Sequence, residues 1–194
     1  MLDDARRYAD EAVERDPLMW FSSLGTMLVD LFGGRFEAAV AWCDDAVKRF
    51  GSEAPLALWW RGNALAFSGR EAEAIAVFER HAAVEGELFA DICELEARAF
   101  RGDRDATCQW LEHHPRLKDA ALTDEAYSMI LATSFARVED FDAALHWLDT
   151  SISFGFTNHR FLSEHNRFLV PLRGDPRFEA LMDKARERQR AFEM

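Results

Sequence analysis

Histidines, carboxylates and thiols are the side chains whose types and spacing invite a search for chemistry. His113 and His114 are adjacent. On a helix they diverge by about 100°, so they cannot converge on one metal ion. His159 and His165 flank a short helical segment without nearby Cys ligands, which predicts solvated or capping imidazoles and no metal site. Catalytic carboxylate pairs need a pocket and displaced pKa values. Asp44-Asp45 and Glu94/Glu96 are instead sequence neighbours on helices and read as solvated faces. Cys43, Cys93 and Cys108 make an odd count without C-x-x-C spacing, and their apolar helical settings predict buried, reduced thiols. No phosphate-cradling, dinucleotide-binding, zinc-protease or nucleophile-elbow motif occurs. Arg-Gly-Asp stands twice, at Arg101-Gly102-Asp103 and Arg173-Gly174-Asp175, where a turn glycine followed by a helix-capping Asp accounts for it. The expectation is a chain that is not an enzyme and takes no cofactor.

The elements that must position any site come from a repeat. From Gly62, the residues Leu65, Gly69, Ala74, Phe78 and His81 follow at fixed offsets. The same offsets give Phe135, Glu139, Ala144, Leu148 and Ser151 from Ala132. From Leu95 they give Arg98, Gly102, Thr107, Leu111 and His114, and from Met27 they give Asp30, Gly34, Ala39, Cys43 and Ala46. Ala5, Ala9, Ala12 and Pro17 form a preceding half-unit. The anchors Ala5, Ala39, Ala74, Thr107 and Ala144 lie 34, 35, 33 and 37 residues apart. Each unit reads as two amphipathic helices joined by a tight turn at Gly34, Gly69 or Gly102. A mid-helix glycine such as Gly62 costs about 1 kcal/mol relative to Ala, which close helix packing would justify.

The pattern resembles the tetratricopeptide repeat, best in APLALWWRGNALAFSGREAEAIAVFERHA (54–82) and AYSMILATSFARVEDFDAALHWLDTSI (126–152). The resemblance implies an all-α fold, a right-handed superhelical α-solenoid of helix-turn-helix repeats with a C-terminal capping helix. The expected organisation is a second helix of a truncated or atypical N-terminal repeat at 1–17, then repeats at 18–52, 53–86, 87–118 (degenerate) and 119–155, then a capping segment at 156–194. The half-unit ends in Asp16-Pro17, the family's usual closing dipeptide, and Asp30 stands where an apolar residue is expected. The C-terminal stretch departs from the repeat and is similar to the closing segment of many bacterial tetratricopeptide arrays. There Asp175 would cap a helix opening at Pro176, with Phe178, Leu181 and Met182 covering the last seam. Such arrays often form the C-terminal part of a serine/threonine kinase, nucleotide cyclase or transcriptional regulator. Because the chain opens inside a repeat, a fragment is expected, with an atypical N-terminal cap as the alternative.

On the family's geometry the first helices line a concave groove. Leu56, Trp59, Asn63, Ala66 and Phe67 would come from one unit, Phe89, Ile92, Glu96 and Phe100 from the next, and Met129, Thr133 and Arg137 from the next. Asn63 stands where the chaperone-tail-binding branch uses a backbone-gripping Asn, yet the Lys one turn earlier is Trp59 here, which argues against an acidic-tail ligand. An alternative is that Trp59, Phe67 and Phe100 pack between adjacent first helices. Trp42, Trp110 and Trp147 fall on second helices and are expected between repeats.

Charge narrows the partner. Acids outnumber bases 35 to 23, a net of −12. Residues 1–159 carry 29 acids and 15 bases, and residues 160–194 carry 6 and 8. That field disfavours nucleic acid and anionic membranes and favours a basic or amphipathic peptide or protein. No secretion signal and no long apolar run are present, which predicts a cytoplasmic protein. A protein-interaction module is the first expectation, with a further domain of the same polypeptide as another occupant of the groove. A spacer or homodimerisation element is the alternative, and an enzyme with an unrecognised site is a third.

Overall fold

The computed structural model describes residues 2–16, 20–50, 55–83 and 88–192, and all regular structure among them is helical. The helices are α1 (Leu2–Arg15), α2 (Trp20–Phe32), α3 (Phe36–Phe50), α4 (Pro55–Ser68), α5 (Glu71–Ala82) and α6 (Leu88–Phe100). They continue with α7 (Arg104–His113), α8 (Pro115–Ala121), α9 (Glu125–Arg137), α10 (Phe141–Phe154) and α11 (Pro176–Phe192). Between α10 and α11 lie a π-turn, Phe161–His165, and a 3-10 segment, Arg167–Leu172. Two compact units, Met1–Ala74 and Ile75–Met194, divide within α5. Pro17, Ala54 and the expected boundaries at 17/18, 52/53 and 86/87 lie outside the described residues.

In the first unit α1 packs on α2, α2 on α3 and α3 on α4. The α1–α2 pair is close because Gly25 meets Ala9: a Cβ at Gly25 would lie 3.3 Å from that of Ala9. Asp30, out of place on an apolar stripe, is largely buried and takes Arg6 of α1 and, at 2.6 Å, Arg35 after the turn. An ion pair thus replaces the apolar contact the spacing calls for. Trp42 packs against Ala46 and Ala57, a contact between successive hairpins.

In the second unit α6 contacts α7, α8 and α9, while α9 packs along α10 and α10 on α11. Phe78, Ile92, Leu95, Leu117, Ile130, Leu148, Phe161 and Phe178 are fully buried. Pro115 starts α8 at its first position, and Leu117 and Ala121 bury it against α6 and α9. The expected boundary after residue 118 therefore falls inside a helix that the repeat pattern does not contain.

One turn recurs. Backbone N–H groups of Gly34, Gly69, Gly102 and Glu139 each reach the carbonyl three residues back, and the following N–H reaches five back, as at Arg70→Leu65 (2.9 Å) and Asp140→Phe135 (2.9 Å). This satisfies two carbonyls left over at a helix end and requires positive φ at the turn residue. Gly34, Gly69 and Gly102 have φ of 78°, 92° and 80°, and Glu139 adopts 60° in the same place. Gly174, at 89°, falls at the next repeat interval. The C-terminal stretch keeps a positive-φ glycine at that interval but not the turn's hydrogen bonds, since the Asp175 N–H reaches Leu172 three residues back (3.0 Å) and the Gly174 N–H donates to Glu179 (3.2 Å). The π-turn and 3-10 segment stand as an irregular first helix, and α11 as the second. Phe178, Met182 and Ala185 bury α11 with the spacing that Ala144, Leu148 and Ser151 give α10.

Candidate binding face

The first helices α4, α6 and α9 carry the residues that the groove expectation names, and the structure buries most of them. Trp59, Asn63 and Phe67 in the first unit are buried, as are Ile92, Glu96, Phe100, Met129 and Thr133 in the second, while Phe89 is half-buried. Leu56 and Arg137 are half-buried and Ala66 is buried. These side chains are spent largely on contacts within the chain. Trp59 lies 4.7 Å from Trp60, whose ring meets Phe32 edge-on at 5.8 Å. Phe67 stacks on Phe36 at 5.7 Å. The Asn63 amide donates to the Trp59 carbonyl one turn back (3.2 Å), so its N–H serves its own helix.

A polar residue recurs at one position of the repeat. Asn63, Glu96 and Thr133 each follow a repeat anchor by one residue, and all are buried. In the second unit Asn166, fully buried though outside that register, donates through Nδ2 to the Thr133 hydroxyl at 2.9 Å. The Thr133 hydroxyl in turn donates to the Met129 carbonyl (3.0 Å), and Asn166 Oδ1 accepts from the Phe168 N–H (3.2 Å). Phe168 then meets Phe100 edge-on at 5.1 Å. A stack of repeats normally joins only neighbours. Phe168 instead reaches the first helix two hairpins upstream. The chain's own segment thus covers the Phe100 and Thr133 part of the face. Sequence reading assigns Asn166 and Phe168 no role on this face. Phe168 stands six residues before Gly174, as Asn63, Glu96 and Thr133 stand six before their turn residues, and that spacing is its signal, whereas Asn166 falls outside it.

The other end is more accessible. Phe89 of α6 and Tyr127 of α9 are half-buried and stack with centroids 6.3 Å apart. Burial raises the Tyr127 hydroxyl above its ordinary pKa, reinforced by Asp124, so it stays a neutral donor.

The remaining candidate residues are occupied structurally. His113 and His114 Nδ1 each lie 2.7 Å from the carbonyl one turn back, at Gln109 and Trp110. His114 stacks on Trp110 at 3.7 Å, while the Arg98 guanidinium sits 4.6 Å from the Trp110 ring and its indole N–H donates to the Asp91 carbonyl. Burial lowers the pKa of His159 and His165, with Arg186 adding to the effect at His159 and Arg160 at His165. Burial pushes the Cys43 thiol up to about 12 and raises that of Cys93. Cys108 is only half-buried, unlike the other two, and its thiol lies 3.8 Å from Asp140. Among the described residues no group of three or more His, Cys, Asp or Glu is arranged to hold a metal, and no helix is long and apolar enough to cross a membrane. The two Arg-Gly-Asp copies close turns: Asp103 accepts from the Ala106 N–H (3.0 Å) and Asp175 from the Arg177 N–H (2.8 Å).

Comparison with protein-family models, curated proteins and solved structures gives no match.

Proposed function

We propose that this chain is a non-catalytic helical-repeat module of tetratricopeptide type that binds a peptide or short helix of a protein partner on its first-helix face. It would serve as the C-terminal part of a larger bacterial signalling or regulatory protein. The observation that carries the reading is the seating of Asn166 and Phe168 on Thr133 and Phe100. This face receives an irregular polypeptide segment through one apolar anchor and one buried amide. Those are the elements of peptide recognition in a preformed groove. The half-buried Phe89–Tyr127 pair extends the face beyond that segment and supplies further aromatic surface. The net charge of −12 favours a partner with a basic flank and faster encounter at low salt.

The test is selection of binding peptides from a random displayed library with the whole chain, followed by titration against Phe89→Ala. Trp59 and Phe67 are buried, so truncating them would act through folding. Phe89→Ala should weaken the selected peptide by about tenfold with the circular dichroism unchanged. Unchanged affinity would remove the α6–α9 face as the site.

A further inference from the structure

We infer that Asn166–Leu172 is a releasable strap, a built-in occupant that a partner must displace to use the α6–α9 face. The inference rests on the peptide-binding reading above and specifies its regulation.

The strap combines firm side-chain anchors with a weak backbone. Phe168, Leu169 and Leu172 are buried and Asn166 is hydrogen-bonded to Thr133, so the docked segment covers the Phe100 and Thr133 part of the face. Its backbone, however, breaks the helix it stands in for. Asn166 is extended (φ −76°, ψ 94°), the following turn is 3-10, and Pro171 within it has no N–H to donate. Val170 is well exposed, at 44%. Gly155 (φ 127°) and Gly174 (φ 89°) bracket the whole segment, and a Cβ at either would meet nothing within 4 Å. Burial of three apolar side chains is therefore opposed by the ordering of a short segment without a continuous helical ladder, a balance that permits local opening. The occupant also defines the competitor: a segment with an amide side chain followed two and three residues later by Phe and Leu, as in Asn166-Arg167-Phe168-Leu169.

Two measurements on the full chain decide it. In native-state hydrogen exchange, the Leu169 and Arg173 amides should exchange about a hundredfold faster than Phe135 and Leu148. Exchange of all four at one rate would overturn the strap. In the second measurement, a labelled synthetic peptide of residues 164–173 is titrated against the wild-type chain and against Asn166→Ala/Phe168→Ala. The variant should bind about tenfold more tightly, because its face is open for a larger fraction of the time. Equal binding by both would overturn the strap and leave the binding face standing, whereas no binding by a folded variant would overturn both. If the variant fails to fold, the exchange measurement on the wild-type chain decides.

Discussion

Glu139 holds a conformation that Gly34, Gly69 and Gly102 hold at no steric cost. A Cβ in the left-handed region costs about 1–2 kcal/mol, partly offset because glycine also loses more entropy on folding. Glu139→Gly should therefore stabilise the chain by about 0.5–1 kcal/mol, and Gly102→Ala should destabilise it by about 1 kcal/mol, read by urea denaturation. Neither change depends on a packing clash at Gly102, where a Cβ would meet nothing within 4 Å. The next residue, Asp140, does three jobs. It caps α10 through the Ala143 N–H (3.2 Å), takes Arg104 at 2.9 Å and receives the Cys108 thiol. Burial works to raise its pKa, but Arg104 and the cap hydrogen bond outweigh that and hold the carboxyl below its ordinary 3.8. A depressed folded value means stability that is complete above the unfolded value and lost as pH falls through the folded one. Asp140→Ala should cost about 1–2 kcal/mol at pH 7. The gap between variant and wild type should narrow below 3.8 in denaturation series run at successive pH values.

Helices and hairpins are where the repeat spacing becomes physical contact. Arg70 meets Glu37, Arg104 meets Asp140, Arg177 meets Asp142 and Lys184 meets Asp149, each pair 33 to 36 residues apart. These pairs are largely exposed, so they fix register more than they add stability. The buried contact between Thr133 and Asn166 differs. Thr133→Val keeps the volume but leaves the Asn166 amide without its acceptor in a fully buried place. A loss of about 1–3 kcal/mol is expected from such an orphaned donor. Asn166→Ala in the Thr133→Val background should cost less than Asn166→Ala alone, a coupling that a double-mutant cycle in urea would show. Additive losses would mean that the two side chains act separately. The two RGD turns, the caps at Asp103 and Asp175 and the start of α11 at Pro176 were all legible from local sequence, because each is decided within a few residues. The insertion of α8 was not, since Pro115 opens a helix only if Leu117 and Ala121 have α6 and α9 to bury against.

Across the whole chain, burial is unevenly spread among the helices. In α9 every residue from Ser128 to Ala136 is buried, and α10 buries both rows of its inner face, whereas α1 has Ala9 as its buried residue. Opening free energies follow such differences in local packing. Hydrogen exchange should find the α9–α10 amides among the slowest and those of α1 among the fastest. Comparable rates in α1 and α9 would show that the chain opens only as one cooperative body. The all-helical class, the hairpin period and four of the turn positions were fixed by the sequence alone, because helix periodicity and turn chemistry are local properties. Which part of the first-helix face is covered was decided only by tertiary structure. Phe168 reaches Phe100 because the chain breaks at Asn166, and Trp59 and Asn63 are buried because neighbouring side chains close over them. Contacts between residues far apart in the chain depend on where helix breaks aim the backbone, and a repeat read one period at a time carries no record of that.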